Sequence, residues 1–474
     1  AARIDALIYA QGDITLQNDA HLVGATSASN ISFETSSRVN YQCGAITPTV
    51  DHYQIIHDGN GLTCDTEKVT IKACTSSIGD TCVESTENIS LDLIVTGIAT
   101  PPSGHVVTKS VTFTEQTDDE FGFNYTVPEQ VTLSIANETI GATNGFICNP
   151  NSGGSCNMQF ADAGFKISGL NDIEIAGVPN STVTIQAVQT NTNTGVCEPL
   201  FDNNKVLDVE FAIQAVTPAT TAGLAYKMGT VASHINIDKN IGVPTSYQDV
   251  SLTFGTSSTA LLPENLYLDA GIINLHARYI IAATAENPEE IIYGDSGNIT
   301  VRPNAFRITP ENSADELLNG NTFAAAVTQK AGVGFDLLFE AINADWYGDG
   351  NPDKTVNYTA IDVDVALQRI APNPGSEGLL IDDTGLSLTS TSTIDYLGSI
   401  PFSSGQYQSN SKTAKFSEVG VYQLHLIEKG TNNPDNTTGN NKAQGSQDIG
   451  RFIPSHFTVT SVDDGSLTGT CSTA

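Results

Sequence analysis

Positive charge is scarce in this chain. Across 474 residues there are 20 Lys and Arg against 53 Asp and Glu, a formal net charge of −33. A surface of that sign repels phosphate backbones and acidic headgroups, which argues against nucleic acid and anionic lipid as partners. Long apolar runs are also missing, so no membrane span is expected. The start, AARIDALIYA, lacks the basic and apolar regions of a signal peptide. Methionine occurs only at 158 and 228, and the expectation is a processed piece of a longer polypeptide. There is no Cys-x-x-Cys, no zinc-finger spacing of Cys and His, and no phosphate loop, zinc-protease helix or dinucleotide fingerprint.

What the chain does have is polarity supplied by Asn, Thr, Ser and Gly, residues suited to turns and exposed strand faces. Eight cysteines stand at 43, 64, 74, 82, 148, 156, 197 and 471. Cys74 with Cys82 and Cys148 with Cys156 bracket polar loops where local disulfides fit, which implies an oxidising compartment. Pairing among Cys43, Cys64, Cys197 and Cys471 stays open, and Cys471 is expected to have a partner outside the sequence.

Alternation of period two dominates. EKVTIKAC places Val69, Ile71 and Ala73 on one face, STVTIQAV places Val183, Ile185 and Ala187, and FDLLFEAI places Leu337, Phe339 and Ala341. Each follows a glycine-bearing turn and lies downstream of an aromatic stretch centred on Tyr53, Phe165 or Phe306; Phe457 marks a fourth. LDAGIINLHARY and SEVGVYQLHLIE also align, with Asp269, Gly271, Leu275 and His276 matching Glu418, Gly420, Leu424 and His425. From Phe165 to Gly271 is 106 residues and from Phe306 to Gly420 is 114, so the landmarks form an internal repeat.

The predicted fold is all-β: tandem immunoglobulin-like β-sandwiches in an elongated array. Repeats of 141 and 151 residues exceed one simple sandwich, so long inserted loops or an extra subdomain are expected. Residues 1–45 read as β-solenoid-like rungs, 46–160, 161–303 and 304–454 as three sandwiches, and 455–474 as the start of a further module. The aromatic stretch is predicted to be the first strand of each module, behind a proline-bearing link.

Candidate chemistry is sparse. In NADWYGDGNPDK, Asp345, Asp349, Asn351 and Asp353 place oxygen side chains at even spacing around glycines, as a calcium loop does; a hydrated acidic hairpin fits the same residues. Calcium is the sole cofactor expectation. Trp346 in this loop is a candidate sugar-stacking ring or a cover for the sandwich end. GDSG at 294–297 matches the surroundings of a serine-protease nucleophile, but no His lies in a suitable context and Asn298 follows where that motif has Gly, so a turn before a strand is expected. His276 and His425, pointing away from Leu275 and Leu424, are expected on the outer or loop-facing side in a structural role. No catalytic residues are expected. Eight Asn-x-Ser/Thr sequons occur, including those at Asn124 and Asn357.

HYQIIHDGNGLTCDTEKVTIKACT and IGRFIPSHF resemble the large C-terminal conserved region of MshQ-type proteins, which are encoded with the mannose-sensitive haemagglutinin (MSHA) type IV pilus of aquatic Gram-negative bacteria. LYLDAGIINLHARY, ITVRPNAFRI and FSEVGVYQLHL fit the same region in order, and QGDITLQNDAHLVGATSASNISF resembles the repeat segment before it. The family region continues past GRFIP, so the last module is expected to be incomplete. The resemblance implies a secreted protein at the cell surface or pilus, a non-enzymatic stalk or scaffold in pilus biogenesis and adhesion, with other pilus or surface subunits as partners. The alternative is an adhesin module that binds surface glycans, with or without calcium.

Overall fold

A computed structural model describes residues 50–79, 82–99, 104–113, 120–150, 154–283, 289–429 and 442–460, together with the strand backbone between residues 3 and 40. Strands account for nearly all of its regular structure, as the period-two patterning requires.

The N-terminal strands pair only in parallel. Arg3–Asp5 pairs His21–Val23, which pairs Arg38–Asn40. Ile8–Tyr9 pairs Thr26–Ser27, and Asp13–Leu16 pairs Asn30–Phe33. Partners 17 or 18 residues apart, three strands to a turn, define solenoid rungs.

Three buried cores follow, within residues 50–160, 163–301 and 306–452, the last also taking in Ala270. In the first module Glu120–Phe123, Glu67–Cys74, His52–Ile56 and Phe146–Cys148 form one sheet. Val106–Phe113, Ile89–Gly97, Gln130–Ala136, Asn157–Ala161 and Asn60–Leu62 form the other. Val69, Ile71 and Ala73 face inward between them. Removing such a face from water drives each module to close as a sandwich.

The second and third modules share a plan. A long strand, Lys205–Thr217 or Ala360–Ala371, is followed by an insert, then by Gly271–Ile281 and Glu290–Arg302, or Gly420–Glu428 and Gln444–Ile453. Each insert contains an added three-stranded sheet: Ser233–Ile237, Tyr226–Thr230 and Asn265–Tyr267 in one, Ser387–Thr389, Leu379–Ile381 and Lys415–Phe416 in the other. These are the inserted subdomains that the repeat length demands.

The repeated landmarks have a steric cause. Gly271 (φ 133°) and Gly420 (φ 138°) lie where a Cβ would come 2.4 Å from the carbonyl oxygen of Thr217 and Ala371 respectively. At Gly294 and Gly445 a Cβ would meet the carbonyl oxygen of Phe165 and Phe306, both at 2.1 Å. The first strand of each module is therefore pressed against its last by a glycine that no other residue can replace without moving backbone.

Phe165 (3% exposed) and Phe306 (4%) begin their modules inside Ala163–Ser168 and Ala305–Glu311, as predicted, and Tyr53 lies in His52–Ile56. Phe457 departs from the pattern. It is 85% exposed, and residues 454–460 form no strand. The remainder of the expected fourth module, residues 461–474, lies outside the described residues.

Candidate functional site: the junctions between modules

The polar groups that the sequence singled out sit largely where modules meet. At the first junction Cys64 of module one is bonded to Cys197 of module two, across 133 residues of sequence. Beside the bond, Asp65 pairs with Lys166 at 2.7 Å. Thr63 Oγ1, almost fully buried, donates to Asp162 Oδ1 at 2.6 Å and lies 2.6 Å from Thr190 Oγ1. The two local disulfides, Cys74–Cys82 and Cys148–Cys156, are both formed inside module one. Cys43 and Cys471 lie outside the described residues.

Carboxylates from both modules crowd this junction. Glu67 is pushed up to about 8, by burial first and then by the negative charge of Asp295. Asp58 is likewise raised, by burial and then by Asp295 and Glu67. An acid whose pKa is higher folded than unfolded contributes stability at low pH and loses it as pH rises through the folded value. His57, His276 and His425, which burial lowers from 6.5, act in the opposite sense below that pH. The protein is therefore expected to melt at a higher temperature near pH 6.5 than near pH 8, and Glu67→Gln should flatten the difference. Calorimetry at both pH values checks this; equal slopes in both proteins would remove Glu67 from the account.

At the second junction, module three inserts its 343–358 loop against module two. Asn343, 2% exposed, donates from Nδ2 to Leu268 O at 3.0 Å, and the Ala344 N–H donates to Ala176 O at 2.8 Å. Asp269, fully buried, accepts three backbone N–H groups: Leu224 (2.8 Å), Ala270 (2.9 Å) and, from module three, Asn357 (2.9 Å). Ala270 packs within the core of module three. Arg302, buried at the end of module two, faces Glu428 of module three, whose carboxyl burial raises. Glu428 also accepts from Tyr358 Oη at 3.2 Å.

The acidic loop belongs to this junction. Asp345 spends Oδ1 on the N–H groups of Gly348 (2.8 Å) and Asp349 (3.2 Å), and Oδ2 on that of Gly350 (2.7 Å). Asp349 Oδ1 accepts the Asn351 N–H at 2.8 Å, and the Asp353 N–H donates to Asn343 Oδ1 at 2.9 Å. Among the described residues no three His, Cys, Asp or Glu side chains converge as a metal cluster. Asp345 and Asp349 cap the turns of their own loop.

Trp346 is turned inward on that loop. Its ring lies 5.2 Å from the His234 ring, with Lys227 Nζ 5.6 Å from its centroid. Lys227 is fixed by His234 Nε2 at 2.9 Å and Asn236 Oδ1 at 2.8 Å. The neighbouring Tyr347 ring, 5.0 Å away, is the exposed one, at 44%. The indole makes a cation–π contact between modules.

GDSG is a bulge inside the strand Glu290–Arg302 rather than a turn before it, because pairing with Gly271–Ile281 shifts register there. Ser296 Oγ lies within reach of two acceptors for its one proton, Asn274 Oδ1 (3.1 Å) and Gly297 O (2.9 Å). Burial also corrects the placing of the histidines: His276 and His425 are each only 8% exposed. Nε2 of each meets a glutamine Oε1, Gln214 at 3.0 Å and Gln368 at 3.3 Å, so the repeat preserves a His–Gln pair on the covered sheet face.

Fold and junctions together define an all-β chain of tandem Ig-like sandwiches with disulfides. Residues 145–295 match a family model described as a domain of unknown function (DUF6701), first Ig-like domain, and residues 418–474 match that of its third domain. Residues 50–140 match a further domain of unknown function (DUF8613). No curated protein matches the chain. Among solved structures it is similar to Salmonella alpha-2-macroglobulin reacted with methylamine, at 10% identity and TM-score 0.19 over 85% of this chain. The chain spans 23% of the length of that protein. It is also similar to the full-length major pilin SpaD from Corynebacterium diphtheriae, at 9% identity and TM-score 0.15 over 80% of this chain and 86% of that one. Scores this low carry no structural argument. No helix among the described residues is long and apolar enough to cross a membrane.

Proposed function

We propose that this chain is the non-enzymatic stalk or scaffold of a secreted surface protein associated with a type IV, MSHA-like pilus. The observation that carries the reading is the pair of fixed junctions: a disulfide with its ion pair at the first, a buried carboxylate with an inserted loop at the second. Junctions of this kind hold successive sandwiches in fixed orientation, which a load-bearing or spacing element requires and a freely jointed chain does not provide. Structural disulfides suit an oxidising, extracellular setting, and the strong negative charge keeps such a rod soluble. Its partners are then other pilus or surface subunits. Small-angle scattering of the isolated chain should give an elongated particle, and a compact one would defeat the stalk.

The exposed Tyr347 ring favours a second reading, an adhesin module that binds surface glycans at this loop. Glycan-array binding by the chain and by Tyr347→Ala and Trp346→Ala, with and without calcium, separates the two. Silence in every arm leaves the stalk.

A further inference from the structure

We propose that Lys239 of module two and Asn357 of module three become joined by an isopeptide bond, with Asp269 as the proton relay, so that the second junction is covalent. This is independent of where the protein resides or what it binds.

Three groups from different parts of the chain converge on one spot. Lys239 Nζ and Asn357 Nδ2 share the same two acceptors: each lies 3.4 Å from Tyr267 Oη, and each donates to the carbonyl oxygen of Ala222. Asp269 holds Asn357 through that residue's backbone N–H on Oδ1 at 2.9 Å, and its charge reaches Lys239. Gly223 shows how tightly they are grouped. A Cβ there would stand 2.2 Å from Asp269 Oδ2, 2.7 Å from Asn357 Nδ2 and 3.1 Å from Asn357 Cγ. Only glycine lets carboxylate and carboxamide approach this closely beneath the 222–224 backbone.

The chemistry needs a neutral amine, a polarised amide and a group that moves protons, all shielded from water. Burial lowers Lys239, favouring the free amine, although Asp269 opposes it. Burial raises Asp269, favouring a carboxyl that holds a proton, against three backbone N–H groups that pull the other way. Tyr267, 4% exposed, walls the site on one side, and Lys239 and Asn357 are themselves half-buried. The Nζ lone pair attacks Asn357 Cγ and forms the C–N bond. Asp269 passes the proton lost by Nζ to Nδ2, the Cγ–Nδ2 bond breaks, and ammonia leaves. Amine and carboxamide become a secondary amide plus ammonia, with no change of oxidation state and no co-reactant.

Asn357 also heads a sequon. Its amide is engaged with Ala222 O and Tyr267 Oη in the junction.

Mass spectrometry of the full chain after reduction decides the matter. The expected result is an intact mass about 17 Da below that of the sequence, one ammonia lost. Trypsin should fail to cut after Lys239 and should release residues 228–278 joined to residues 355–369. Lys239→Arg and Asp269→Asn should each return the full mass and separate the peptides. An unmodified wild-type mass overturns the proposal. So does ammonia loss without the linked peptides, which would be succinimide formation at an asparagine. So does loss of about 18 Da with Lys239 tied to Asp269 inside residues 228–278, a water-eliminating bond that leaves the modules unlinked. The wild-type measurement stands alone if a variant does not fold.

Discussion

Replacing Cys64 and Cys197 together by alanine is expected to lower the unfolding free energy by about 5 kcal/mol, the chain-entropy value for a closed loop of this length. The loop spans 133 residues and contains parts of two modules, so the bond restrains the unfolded ensemble far more than Cys74–Cys82 or Cys148–Cys156, each with a separation of 8. The loss should fall on modules one and two. Asp65 with Lys166, both more than a third exposed, is a surface pair that contributes little and cannot compensate. Urea unfolding followed by hydrogen exchange reads the change. If the double variant unfolds at the wild-type midpoint, the bond does not hold the two modules together. Cutting one local loop, with Cys74→Ala and Cys82→Ala, should cost less and leave module two unaffected.

Phe339→Ala should cost about 3–5 kcal/mol, the range for emptying a buried aromatic site. Phe339 is fully buried at the centre of Asp336–Ile342 and stacks on Tyr407 at 5.8 Å. The informative result is where the cost falls. The three cores are separate clusters, joined through narrow contacts such as Ala270. Module three should therefore open alone, seen as early protease cleavage and loss of exchange protection within residues 306–452, while the first two modules keep their transitions. A single cooperative shift of the whole chain would mean that the junctions couple the modules as strongly as the cores hold each one.

Much of the fold was legible in the order of residues. Val69, Ile71 and Ala73 alternate with polar neighbours, and a strand turns alternate residues to opposite faces, so the buried set follows from the pattern alone. The landmark repeat was legible because Gly271 and Gly420 answer the same local demand, a backbone too close to a carbonyl oxygen for any side chain. The close cysteine pairs were legible for a similar reason, since a short loop brings its own ends together.

Long-range approach was not legible. Nothing near Cys64 in sequence points to Cys197, and the backbone N–H groups that Asp345 and Asp349 accept are seen only in the folded loop. Trp346 could be a sugar-stacking ring or a cover by its sequence alone, and Lys227 and His234, more than 100 residues earlier, pack against it. Phe457 has the local pattern of a first strand yet is 85% exposed and lies in no strand. Local periodicity and steric need thus set the strands, the repeat and the class of fold, because those depend on residues a few positions apart. Only the packing of one module on the next decided which charges are paired, which aromatic is covered, and that Lys239, Asp269 and Asn357 meet, because contacts between distant segments leave no spacing in the sequence to read.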